Sequence, residues 1–296
     1  MMKRIILFLC KFFLIVLLVF STAYTLLRQL SPDPGLALSG LYTDAATRRY
    51  VIDEMGLDKP YMLGLLSQID KLIRVDFGVS LRTQRPVMSE IARPLLLTFS
   101  IAFFVSLLTV LCAIYGFIVG LCHGITVKTS LMFLSSAISA FPGFLISLLL
   151  TPFFPNTWGG GFFPLSVQSV LPILSLALPL IPYAASTGLC LARDMRRLPW
   201  FETFTAFGFA PLSIAWMRGR RWLLRGIFNV SIFSFLAAFT GSVAVELVCG
   251  VPGLGTAFLD AIDMRDLPVV LAICGITAAF SGSLVLLREE LLRKEA

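Results

Sequence analysis

Four stretches of this chain, 95–122, 130–153, 169–192 and 267–287, contain no charged side chain. Nothing else in the sequence constrains the fold so strongly. About twenty apolar residues cross a bilayer as a helix, and each stretch is at least that long. Strands of a membrane barrel would be shorter, about ten residues, and would alternate in polarity, whereas these runs are apolar all round. Two further runs qualify. In 5–27, Lys11 lies near enough to the start to reach the interface; 226–249 holds only Glu246, near its end. The expected fold is all-α: a polytopic membrane protein with six transmembrane helices. Composition agrees, since 57% of the 296 residues are hydrophobic and 14% charged, against about 25% charged in soluble domains. The first run has a second reading, a cleaved signal peptide. Its apolar part, 12–27, is longer than the usual core of about 7–15 residues and no A-x-A-like site follows, which favours an uncleaved helix.

Lysine and arginine in short loops set orientation. Segment 193–226 carries seven arginines against Asp194 and Glu202. By contrast, 154–168 has no charge, and 250–266 sets Arg265 against three aspartates. Six helices with both termini and 193–226 in the cytoplasm satisfy every short loop. The net charge of +7 then has a topological origin, and no nucleic-acid partner is expected. Segment 29–94 falls on the extracytoplasmic side and is long enough to escape the charge rule. It holds a turn cluster at 31–35, a short helix over 44–56 stopped by Gly56, and an amphipathic helix over 59–75 with Leu63, Ile69, Leu72 and Ile73 at helical spacing. Together these read as a small outer cap. Pro142, Pro172, Pro179 and Pro182 lie inside apolar runs, where each is expected to kink its helix. Such kinks suit a pathway-lining bundle, or are plain packing irregularity.

Sites for chemistry are scarce. The six cysteines include no C-x-x-C pair and His123 is the one histidine, so no metal site is assigned. "GITVKTS" (124–130) lacks the glycine spacing of a phosphate-binding loop. No catalytic or cofactor-binding residue is assigned, and an intramembrane enzyme acting through His123 is disfavoured. Glu246, about 6 Å along the axis from its helix end at 1.5 Å per residue, is either a helix-end carboxylate bonded to a neighbouring group or a gating residue. A bundle without energy-converting residues is a passive channel or facilitator, or it receives energy through a cytoplasmic surface.

The candidate surface is 193–226. It reads as a helix over 195–207, with Pro199 as start signal and Gly208 as stop, then a second helix from Pro211 running into the fifth span. Trp200, Phe201, Phe204 and Phe207 recur on one helical face. That face fits a knob entering a partner's groove, or an amphipathic helix lying on the inner leaflet with arginines on anionic lipid. Across the membrane, Pro252 and Gly253 turn the chain. Leu254, Phe258 and Ile262 then form one apolar stripe, Asp260 and Asp263 turn towards water or polar neighbours, and Asp266 reads as the N-cap of the last span.

Several motifs carry a resemblance. "VAVELVCGVPGLGTAFLDAIDMRDLPVV" (243–270) resembles the V-V-x-E…P-G-L-G…R-D-x-P stretch of the dipeptide, oligopeptide and nickel permeases of ABC importers, through Glu246, Pro252, Gly253, Leu254, Gly255, Ala261, Arg265, Asp266 and Pro268. Segment 50–87 resembles the family's outer segment through Gly56, Leu57, Asp58, Pro60, Asp76, Phe77, Gly78, Ser80 and Pro86. "ETFTAFG" (202–208) is similar to the E-A-A-x-x-x-G cytoplasmic loop: Glu202 and Gly208 keep the spacing, while Thr203 and Phe204 stand where the alanines would be.

The resemblance implies a B-type permease subunit in a bacterial inner membrane. It implies as partners a second homologous permease, two ABC ATPases, an extracytoplasmic substrate-binding protein and a peptide substrate, with nickel or another small solute as the alternative. ATP would be bound by the partners, not by this chain. Segment 193–225 becomes a coupling loop, with Glu202, Thr203, Phe204, Phe207 and Gly208 at the ATPase contact. The hairpin residues Pro252, Gly253, Leu254, Gly255 and Asp266, with Glu246 beneath them, become an outer gate.

Overall fold

The computed structural model describes residues 2–29, 49, 52, 59–74, 76–80, 82–122, 139–153, 167–264 and 266–293. The turn at 31–35, nearly all of the 44–56 helix, residues 56–58, His123, the first part of the third apolar run and Arg265 lie outside the described residues. The helices are α1 (Met2–Gln29), α2 (Tyr61–Ile73), α3 (Val87–Cys122), α4 (Gly143–Leu150, continued as a 3-10 turn over Thr151–Phe153), α5 (Val167–Arg196), α6 (Pro199–Ala206), α7 (Pro211–Met217), α8 (Arg220–Cys249), α9 (Leu254–Asp263) and α10 (Leu267–Arg293). No strand occurs among the described residues, only an isolated bridge between Val79 and Pro86. The chain is a polytopic all-α membrane protein. Stretches within α3, α5, α8 and α10 are long and apolar enough to cross a bilayer, and shorter apolar helices cover Cys10–Thr25 and Gly143–Phe153.

Helix ends differ from the apolar runs. α3 starts at Val87 rather than 95, α8 at Arg220 rather than 226, and α10 continues to Arg293 rather than 287. Apolarity marks the part of a helix that faces hydrocarbon, while backbone hydrogen bonding carries on into charged turns. The third run is not one uninterrupted helix. Pro142 sits extended (φ −67°, ψ 140°) as the N-cap of α4 and does not kink a helix interior. Pro172, Pro179 and Pro182 do lie inside α5. Pro179 removes the helical donor for the Ser175 carbonyl, and the start of α4 backs onto that oxygen. A Cβ at Gly143 would stand 3.1 Å from it.

The described chain forms two units. One comprises Met1–Leu96 and Pro252–Glu289, the other Leu97–Val251 and Glu290–Ala296. In the first, Phe20 and Tyr24 of α1 pack with Leu267 and Leu271 of α10, against Leu65 and Ile69 of α2. Tyr24 meets Tyr61 with ring centroids 6.1 Å apart, and Lys11 pairs with Glu289 at 2.6 Å. The inward face of α2 keeps Ile69 of the expected stripe but not Leu63 or Ile73. Leu65, Gln68 and Ile69 turn inward while Leu63 and Ile73 are exposed. Beside a membrane span, exposed apolar side chains cost little, so hydropathy spacing does not mark the packed face.

In the second unit α5 packs on α8 and α4 and crosses α3 very closely. A Cβ at Gly116 would lie 2.3 Å from the Ala185 carbonyl oxygen, and one at Gly188 would lie 2.0 Å from that of Ala113. Helices in lipid lack a hydrophobic drive to associate and depend on such close backbone contact.

Candidate functional site

The loop after α5 is built by local signals. Leu198 is extended (φ −78°, ψ 134°) and Pro199 occupies the first turn of α6, where a missing N–H costs nothing. Gly208 ends the helix with φ 84°. The Gly208 N–H donates to Thr205 at 2.9 Å and the Phe209 N–H to Phe204 at 3.2 Å, the paired bonds of a Schellman motif. The apolar clasp that accompanies this motif is present too, with the Phe204 and Phe209 rings 5.6 Å apart and edge-on. Arg218 lies over the Phe204 ring, 5.8 Å from its centroid.

α6 spans eight residues, shorter than the expected 195–207, because α5 itself runs on to Arg196. α7 does not run into the fifth span. It stops at Met217, and Gly219 separates it from α8. A Cβ on Gly219 would meet the Met195 methyl at 2.5 Å. The aromatic face predicted as an exposed knob is divided. Phe201 is buried with Phe117 and Leu121 of α3, Met195 of α5, and Ile214 and Ala215 of α7; Trp200 and Phe204 pack partly against this cluster. Glu202, Thr203, Phe207 and Gly208 remain exposed. Amphipathic spacing identified a face, and tertiary packing turned one of its rings inward.

The hairpin region begins where α8 ends. Gly250 is left-handed (φ 62°). Its N–H donates to Leu247 at 3.2 Å and that of Val251 to Glu246 at 2.9 Å, a second Schellman stop. The Glu246 side chain is fully buried and accepts a 2.6 Å hydrogen bond from Thr98 of α3. It is bonded to a neighbouring hydroxyl within the bundle rather than reaching towards headgroups. Pro252 is exposed and Gly253 buried, and α9 follows with Leu254, Gly255 and Ala261 turned inward. Asp260 and Asp263 are exposed as expected, but so is Ile262. The helix buries its small residues where the stripe reading placed a large one.

Asp266 precedes α10 and is buried. Its carboxylate accepts a 2.5 Å hydrogen bond from Ser80, 186 residues away in sequence. Ser80 organises its own loop. Its backbone N–H donates to Arg85 at 2.9 Å, its carbonyl accepts from Gln84 at 3.0 Å, and its hydroxyl accepts from the Thr83 N–H at 3.2 Å. Gly78 (φ 68°) and Gln84 (φ 56°) supply the left-handed corners. Asp266 thus lies at the expected cap position, and its buried side chain is a latch partner for Ser80. Ser80 and Asp266 were both legible as motif residues; their contact was not. Thr98 and the Gly116–Gly188 crossing were missed altogether, although the G-x-x-x-G spacing of Gly116 and Gly120 facing Ala185, Gly188 and Ala192 was available. Among the described residues no group of three or more His, Cys, Asp or Glu could hold a metal.

Residues 112–289, which include both loops, match the family described as the binding-protein-dependent transport system inner membrane component. The chain belongs to this family. The permease is also similar to individual proteins. It is 27% identical over 268 residues to a Brucella abortus protein named for a peptide transport system permease, covering 86% of this chain and 85% of that one. It is 27% identical over 284 residues to the glutathione transport system permease protein of Escherichia coli K12, covering 91% and 88%. The family is one of transport components rather than enzymes. The permease is therefore an integral, multi-pass component of a binding-protein-dependent transport system.

Proposed function

We propose that the permease forms half of the translocation pathway of an ATP-driven, ABC-type importer of di- or oligopeptides. It sits in a bacterial inner membrane with both termini cytoplasmic. A second homologous permease completes the pathway, two ATPase subunits energise it, and an extracytoplasmic binding protein delivers the peptide. The peptide class is supported by the names of the relatives in Brucella abortus and Escherichia coli.

The observation that carries the mechanism is the divided face of α6. Phe207 and Glu202 are left for a partner while Phe201 is packed against the ends of α3, α5 and α7. Close-packed interiors transmit displacement rather than absorb it. Movement of the ATPases on α6 therefore passes through Phe201 to two membrane helices and rocks the bundle between inward- and outward-open states. The 252–266 hairpin, with Pro252, Gly253, Leu254, Gly255 and Asp266, is assigned to a gate at the extracytoplasmic mouth, and the buried Glu246 is taken by itself as a gating residue.

Reconstituted complex in vesicles tests this reading. ATP-dependent uptake of a labelled dipeptide, lost when the ATPases are omitted, is the expected result. Uptake that persists without them, or flux through a solitary homo-oligomer, points to an autonomous channel and overturns it. Competition by a nickel chelate but not by peptides moves the substrate to metal. Gate residues are tested by Glu246→Gln and Leu254→Ala; if neither alters uptake or its coupling to ATP hydrolysis, the hairpin is packing alone.

A further inference from the structure

The start of α8 and the adjoining α7 carry a surface that coupling through α6 does not use. Arg220, Arg221 and Arg225 are all exposed there. The inward face of α8 is occupied: Trp222 and Leu223 pack against the Phe201 cluster, and Gly226 backs onto Leu191 so closely that a Cβ would meet it at 2.5 Å.

The opposite face has a direction. Arg220, Leu224 and Phe228 recur at i, i+4 and i+8 and are all exposed, with Arg221 and Arg225 alongside. Over about 12 Å of axis, at 1.5 Å per residue, one exposed stripe passes from charged to apolar. α8 is long and apolar enough to cross a bilayer, so this change falls where a span leaves headgroups for acyl chains. Beside the charged end, α7 presents Trp216, 73% exposed, and Met217. Tryptophan is the side chain that favours the membrane interface.

We propose that Arg220 and Arg221, which precede the exposed Leu224 and Phe228 along α8 and follow the exposed Trp216 in sequence, form with Arg225 a binding site for the headgroup of an anionic phospholipid. A protein groove would be expected to take an apolar knob rimmed by charge. Here the apolar residues continue along a membrane span instead, which favours lipid. The two readings that the sequence leaves open for the 193–226 segment are thereby divided: α6 serves the partner, and the α7–α8 junction serves the bilayer surface. The inference rests on α8 spanning the membrane and not on substrate or coupling.

The test uses the intact transporter in lipid nanodiscs. Tryptophan fluorescence of the wild type minus that of Trp216→Phe isolates the Trp216 signal. Brominated phosphatidylglycerol is expected to quench it about twofold or more over brominated phosphatidylcholine at equal mole fraction, as a basic cluster enriches anionic lipid. Arg220→Gln/Arg221→Gln should abolish the preference, and Arg220→Lys/Arg221→Lys should keep it. Equal quenching by both lipids reduces the face to ordinary lipid contact. Quenching by neither means that a protein partner covers it. Either outcome overturns the proposal, whatever solute the transporter carries.

Discussion

Phe201 and Asp266 each lock a loop to membrane helices, by opposite means. Phe201 is held by the non-directional packing of rings, methyls and a thioether from α3, α5 and α7. Asp266 is held by directed hydrogen bonding, including a buried bond from the Ser80 hydroxyl. An apolar anchor tolerates small shifts of its neighbours because no single contact is worth much. A buried carboxylate depends on its donors, because an unmade bond leaves a desolvated charge. The first suits a lever that must move and stay attached, the second a loop that must keep one register.

The comparison can be broken first at the helix crossing beneath the lever. Gly188→Leu should do the most damage, since even a Cβ would stand 2.0 Å from the Ala113 carbonyl and neither backbone can yield. We expect loss of the monodisperse peak in size-exclusion chromatography of detergent extracts. Phe201→Ala should follow, at about 3–5 kcal/mol for a large buried aromatic, read as a lower melting temperature together with loss of coupling. Phe201→Leu should recover most of the stability. Phe207→Ala is the sharpening control: it is exposed, so stability should change by less than about 0.5 kcal/mol, while ATPase activity and uptake become uncoupled.

At the polar anchor, Ser80→Ala should cost about 1.5–3 kcal/mol, the range for a hydrogen bond to a charged group. A double-mutant cycle with Asp266→Asn should show a coupling of about 0.5–3 kcal/mol; additivity would mean that the latch is incidental. Of the substitutions expected to destabilise, Gly208→Ala should cost the least, about 1–2 kcal/mol for a left-handed residue. No atom lies within 4 Å of the Cβ it would add, so an effect much larger than that would point to strain beyond the backbone angle itself.

Local chemistry was the legible part. Pro199 and Pro211 announced helix starts and Gly208 a stop, and each does so through its own backbone. The extent of α6 was overread because α5 runs on through charged residues to Arg196, where apolarity no longer marks a helix. The break before α4 at Pro142 stands where the sequence predicts a kink, since a proline looks the same to the sequence inside a helix and at its N-cap. Phe201 turns inward while Leu63 and Ile262 turn outward, because periodicity reveals a face but not what lies opposite it. In a chain bordered by lipid, apolar side chains are also admissible outward.

The sequence by itself determined that the chain spans a membrane, that its helices are punctuated at particular prolines and glycines, and which family it belongs to. Charge exclusion, missing N–H groups and left-handed backbone act within a few residues and need no neighbour. Tertiary structure alone decided that Phe201 turns inward, that Glu246 finds Thr98, and that Ser80 meets Asp266 across 186 residues. Those pairings depend on which surfaces the crossing at Gly116 and Gly188 and the packing of α1 with α10 bring within van der Waals reach, and no local spacing encodes that distance.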